Sequence, residues 1–479
     1  MDEQITYGKT RRRSVLEAAG VVGTAAIGTA GILYGSASNQ PAGSNRSTDS
    51  DRSAGSDQAS LRKLGQIPPS SNSTPTGGYS EAAVREDGRY AVVGTKWGTD
   101  GTYLVDLSDP TAPRQVHHLP GSNSAPNIDA KFDHRNGLYY RAIERREWPG
   151  NFEIVDYGYA NGTPRDPEII GTVGGDGVKT HNLTPHPSEP VLYTQDYGSH
   201  PGKRKGFNAF DVSDPAAPRK IDSYGPDAYV HGLSVDPARG LLHCAYWEWE
   251  EAFVGYVAFD ASDPRAPVEV GRFDYRDRKP YSEAEIGEEA FGNAHHADAD
   301  PRRDLVLVMD ELLYGKPGGK HVFDIGWKDG SLENPVPIGY TLSPNARRMQ
   351  WDGNDDGEGD LLERLDWTGH DGDVMPWGDA TLYVSGDWHE GVVLYDLTDP
   401  TNPHPIDQYA TADSANAVRP NDTVAQYGDP PMSWAATYNE ARDLVVAGDS
   451  FTGVYTFELT TDGDESGAAT TTSDEETTS

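Results

Sequence analysis

Residues 103–113 read YLVDLSDPTAP, and the phrase returns as AFDVSDPAAP (209–218), VAFDASDPRAP (257–267) and VLYDLTDPTNP (393–403). Its first half alternates apolar and polar side chains, the pattern of a half-buried β-strand. Its second half is a tight turn, because an Asx side chain bonds its own backbone and proline presets φ. Looser copies are EIVDYGYANGTP (153–164), HVFDIGWKDG (321–330) and VYTFELT (454–460). Each copy is preceded by a short strand, a turn such as DPARG (236–240) and an apolar strand such as LLHCAY (241–246). One unit is therefore four strands, a to d.

Units fall at about 78–120, 126–173, 180–224, 230–273, 294–340, 367–409 and 431–459, a spacing that signals a propeller. The last lacks its d strand. A spare strand, LRKLGQI at Leu61–Ile67, matches the d strands PVEVGRF (267–273) and PRKIDSY (218–224). The prediction is all-β: a seven-bladed β-propeller of four-stranded blades over 61–459, its last blade closed by the N-terminal strand so that no long edge is bare. These repeats resemble the LVIVD-repeat propellers of bacterial and archaeal surface proteins. The resemblance implies architecture and an exported or cell-surface location, and little about activity.

The chain has 479 residues, with 40 Lys+Arg against 76 Asp+Glu and a formal net charge of −36. Such a charge repels phosphates and anionic lipids, which argues against nucleic-acid and membrane-surface partners. Acid spread along the whole chain reads as adaptation to high salt, a halophilic trait. A single cysteine excludes a disulfide framework and multi-cysteine zinc or iron–sulfur sites.

The ends read differently. Residues 9–16 (KTRRRSVL) precede a Gly/Ala-rich apolar run from Ala18 to Tyr34, similar to a twin-arginine export signal over 1–37. The other reading of that run is an uncleaved anchor, the chain's one route to a membrane. Residues 38–60 read as a solvated linker and 460–479 as an acidic Thr-rich tail. Asn45, Asn72, Asn161, Asn182 and Asn421 stand in Asn-x-Ser/Thr triplets open to glycosylation.

Strand direction sorts the loops. The a–b and c–d turns share one face, and the b–c and d–a loops share the other. On that second face His181, His231, His295 and His370 occupy one equivalent position at the start of strand a, where the other units carry Ser80, Asn127 and Trp434. If strand a starts at the channel mouth, four imidazoles converge. Neutral imidazole is the commonest ligand for zinc, copper and iron, so a metal centre is predicted, with copper, zinc, iron or manganese as candidates. His296 beside His295 leaves the register open by one residue. A second phase ends strand b in Asp196, Glu248, Asp310 and Asp387, on the same face. These acids would orient imidazoles or carry protons as catalytic groups. The competing reading is structural: duplicated histidines bonding a neighbouring blade, and acids on solvated loops.

The histidine pattern is similar to that of the selenium-binding protein and methanethiol oxidase propellers, a resemblance that implies channel-mouth histidines and copper. That family's cysteine motifs are absent, and Cys244 lies inside an apolar strand, where a packed core thiol is expected. Two insertions, 274–293 and 341–366, lengthen loops on the histidine face and would gate or shape a pocket there. The second contains WDGNDDGEGDLLERL, in which Asp352, Asn354, Asp356, Glu358, Asp360 and Glu363 match ligand positions of the EF-hand calcium pattern. Gly359 breaks that pattern at its usual apolar position. No nucleophile elbow, P-loop, dinucleotide fingerprint or His-Glu-x-x-His occurs. Two functions stand from the sequence. One is an exported metal-binding propeller, acting on a small molecule if it is an enzyme, by redox chemistry before hydrolysis. The other is a non-enzymatic cell-surface interaction or adhesion module, in either case a monomer.

Overall fold

The computed structural model describes residues 59–71, 74–75, 78–96, 101–121, 126–144, 152–174, 180–196, 206–247, 252–277, 291–311, 318–345, 368–413 and 430–461. Almost all are in strands and tight turns, with two short 3₁₀ turns at Tyr275–Asp277 and Glu440–Arg442. The proposed signal, the calcium-like loop and Glu248 lie outside the described residues.

The strands form four-stranded antiparallel sheets in chain order, at 79–119, 130–173, 180–224, 229–274 and 294–341. An eight-stranded sheet follows. Its halves, 371–409 and 433–461 with the N-terminal strand, are joined where Asp371 and Gly372 pair in parallel with Ala435 and Ala436 and where Trp388 bridges Ser433. The innermost strand of each sheet is the first in sequence, and each sheet packs on the next. This is a β-propeller.

The N-terminal strand closes it. Ala59–Ile67 runs antiparallel to Gly453–Thr461, with Leu61 opposite Leu459 and Ile67 opposite Val454. The strand starts two residues before the predicted Leu61, and its partner runs to Thr461, past the predicted domain end at 459. Burial explains both extensions, since Ala59 packs with Met375, Leu382, Tyr455 and Phe457. The first and last sheets share a core in which Tyr79, Val93 and Tyr103 meet Val446 and Val454.

Asp-Pro turns behave as their chemistry requires. Asp106 accepts from Ser108 N at 2.9 Å and Asp109 from Thr111 N at 3.0 Å; Asp260 and Asp263 repeat the pattern with Ser262 and Arg265. Where proline is absent, Asp156 and Asp324 each gather five consecutive backbone N–H groups, at 2.7–3.0 Å and 2.6–3.0 Å respectively. On the same face, a–b turn arginines staple one sheet to the next. Arg303 donates to Leu397 O and Thr398 O, each at 2.9 Å, and Arg135 to Val212 O at 2.9 Å. A planar guanidinium reaches two carbonyls at once where lysine could not. Cys244 is buried among Tyr193, Leu242 and Val257, as a core thiol.

Candidate metal centre

Five of the innermost strands open on an irregularity. Pairing slips between Tyr79 and Ala82, Thr180 and Leu183, Val230 and Gly232, Ala294 and His296, and Ser433 and Ala435. The residue inside each slip includes the predicted position: Ser80, His181, His231, His295 and Trp434. A bulge re-aims a side chain out of the pleat. His370 lies just before its strand, and its N–H donates to Gly386 O at 3.0 Å.

Re-aimed in this way, the imidazoles form an arc. Ring centroids are 4.8 Å apart for His181 and His231, 3.8 Å for His231 and His295, and 4.3 Å for His295 and His370. The arc continues to Trp434, 4.3 Å from His370, with Trp388 stacked beyond it. All four histidines are buried, His295 completely. They do not surround one point as predicted. His295 is the hub, and His181 stands at the far end, where its Nδ1 meets Glu144 at 3.1 Å.

Two carboxylates reach the hub, and neither belongs to the predicted set. Glu311 Oε2 lies 3.4 Å from His295 Nε2, and its Oε1 lies 3.9 Å from His370 Nε2. Asp371 faces the other edge of the rings, 3.1 Å from His370 Nδ1 and 3.4 Å from Nδ1 of both His295 and His296. His231, His295 and Glu311 can each offer a ligand atom within 4.8 Å of the others, as can His295, His370 and Asp371.

One hydrogen bond bears on the tautomer of the hub. His295 Nδ1 lies 3.1 Å from His370 O. A carbonyl only accepts, so Nδ1 carries the proton in that bond and Nε2 of the neutral ring keeps its lone pair. That Nε2 is buried with no hydrogen-bond partner, the Glu311 contact lacking the required geometry. Two ligands on one tetrahedral zinc or similar ion stand about 3.3–3.6 Å apart. The spacing of His295 and Glu311 falls in that range. Asp371 lies on the Nδ1 side, 3.1 Å from His370 Nδ1, which is likewise buried without a hydrogen-bond partner.

Charge agrees with this division. Burial, His295 and His181 hold His231 well below the ordinary imidazole pKa. Burial and His295 also lower His370. At His295 burial works against the cation, but Asp371 and Glu311 outweigh it and raise the pKa. Asp371 is held well below the usual carboxylate range: burial raises it, and His370 and His295 more than compensate. The hub thus favours one positive charge between two carboxylates. His296, lowered to about 4 by burial, faces the channel beside Asp371.

Two of the predicted strand-end acids, Asp310 and Asp387, have other partners. Asp310 Oδ2 lies 2.8 Å from His321 Nε2 and accepts from Gly292 N at 2.7 Å. Asp387 pairs with buried Lys320 at 2.9 Å and accepts from Ser385 and Tyr395. Neither contacts a ring of the arc. Asp196 ends its strand opposite Thr180, as predicted. The effective carboxylates are one residue further on: Glu311 follows Asp310 in LVMDEL, and Asp371 follows His370 in GHDGD. Strand alternation turns Asp310 inward to the blade and leaves its neighbour for the mouth.

No protein-family model matches the chain, and no curated protein matches it. Among solved structures it is similar to two of Sqt1 from Chaetomium thermophilum. One has a TM-score of 0.46 at 10% identity, over 82% of this chain and 86% of that one. The other has a TM-score of 0.48 at 10% identity, over 84% and 98%.

Proposed function

We propose that the chain is an exported seven-bladed β-propeller that binds one transition-metal ion at its channel mouth. The ligands are His231, His295, His370 and Glu311, with Asp371 orienting the rings from behind. Seven apolar clusters, each drawn mainly from two consecutive sheets, support the blade count. The observation that carries the metal reading is the buried, unbonded Nε2 of His295, facing Glu311 at 3.4 Å between two more imidazoles. A buried lone pair without a donor is costly, and a cation relieves it while balancing the carboxylate.

Three nitrogens and one oxygen suit copper, zinc, iron or manganese. The arc is walled by Tyr229 and Trp247 beside His231 and by Trp388 and Trp434 beside His370, a setting for a small molecule. Asp310 and Asp387 are tied to His321 and Lys320, which removes them as hydrolytic bases. Redox chemistry on a small molecule is the enzyme class this arrangement favours. Elemental analysis of full-length protein purified at high salt without chelator tests the reading. About one equivalent of a single transition metal is expected, and metal-free protein that takes up none on dialysis overturns it.

A further inference from the structure

The turns of the first two sheets enclose a groove of about 580 Å³, lined by Arg89, Arg114, Arg165, Tyr90 and Asp106 among others. Arg89 lies in an a–b turn, and Arg114 and Arg165 belong to c–d turns, so the groove opens on the face opposite the imidazole arc. Three arginines against one aspartate is a local inversion of charge in a chain of net −36. Arg114 meets Asp106 at 3.1 Å. Among the described residues no carboxylate lies within ion-pair distance of the Arg89 or Arg165 guanidinium. The walls are held in place. Arg89 stacks over Tyr90, 5.2 Å from its ring centroid. The turn carrying Arg165 is closed by reciprocal backbone bonds between Thr163 and Asp166 at 3.0 and 3.1 Å, and His117 Nδ1 lies 3.0 Å from Arg165 O.

We propose that this groove binds a small dianion, whose carboxylate, sulfate or phosphate oxygens set between Arg89 and Arg165. Guanidinium recognises all three oxyanions by paired N–H donors. The electrostatic screening length falls to about 3 Å in molar salt, so in such a background only direct contact discriminates.

Calorimetric titration of the full chain with inorganic phosphate, inorganic sulfate and glutarate, at fixed salt, tests the proposal and ranks the head groups. One site of sub-millimolar affinity is expected for at least one of the three. Arg89→Gln/Arg165→Gln should weaken it at least tenfold, and Arg165→Glu alone should do so too. Arg276→Gln, whose partner is Asp274 in another sheet, should leave it unchanged, with thermal unfolding checking that all variants fold. Wild-type protein that takes up none of the three at 10 mM, or groove variants that bind as wild type does, overturns the proposal.

Discussion

The rings of His231 and His295 lie 3.8 Å apart between centroids and are inclined at 35°, although they open innermost strands of different sheets. Two imidazolium ions cannot share that distance in a buried site, so at most one of the pair is charged. A single metal ion, or a single proton, satisfies the cluster.

If His295 is the hub, its removal should be the costliest in the arc. His295→Ala is expected to lower affinity for the bound metal at least about 100-fold, beyond the 10–100-fold typical of outer partners. His181→Ala, whose imidazole is turned toward Glu144, should cost less than about tenfold. Competition with a chromophoric chelator measures both.

Asp371 touches Nδ1 of three histidines and is assigned the orienting role. Asp371→Asn keeps the size but removes the charge and turns one accepting oxygen into a donating amide. Metal affinity should fall about 10–100-fold while unfolding of the metal-free protein changes little. A visible or EPR spectrum of the copper-loaded variant should shift, which a purely structural role would not produce.

Glycine beside the arc is needed for close approach. A Cβ at Gly232 would meet His295 O at 2.3 Å, inside any tolerated contact. Gly232→Ala must push the His295 strand outward. Metal binding is expected to weaken at least about tenfold, since a ligand shell tolerates errors of roughly 0.5 Å. Chelator competition on folded variant protein checks it.

Stability at acid pH should follow Asp236. Burial raises its pKa, but His243, 3.8 Å away, and Arg239, bonded at 2.7 Å, outweigh burial and bring it down to about 2 from 3.8. A lowered carboxylate pKa contributes stability above the unfolded value and loses it as pH falls toward the folded one. Asp236→Asn should therefore destabilise by roughly 2 kcal/mol at pH 6–7. The gap should close between about pH 4 and pH 2, as followed by denaturant midpoints across that range.

Much of this structure was legible because it is repeated. The Asp-Pro phrase marked the c–d turns, and the Asx bonds at Asp106 and Asp260 follow from those two residue types. The unpaired LRKLGQI strand pointed to its partner because only one unit lacked a d strand. Phase alone brought His181, His231, His295 and His370 into one arc. What phase could not supply was the side chain's direction. Glu311 and Asp371 each follow a residue in phase, and the spacing of the repeats does not decide which of two neighbours faces the rings. Two of the strand-end acids, Asp310 and Asp387, are matched in burial with His321 and Lys320, pairings that no spacing reveals.

X-ray absorption at the metal edge of the loaded full chain tests the central claim most directly. A shell of three imidazole nitrogens and one oxygen at about 2.0–2.2 Å is predicted, with the imidazole scattering reduced in His295→Ala. A shell of oxygens only, or one that His295→Ala leaves intact, would contradict it.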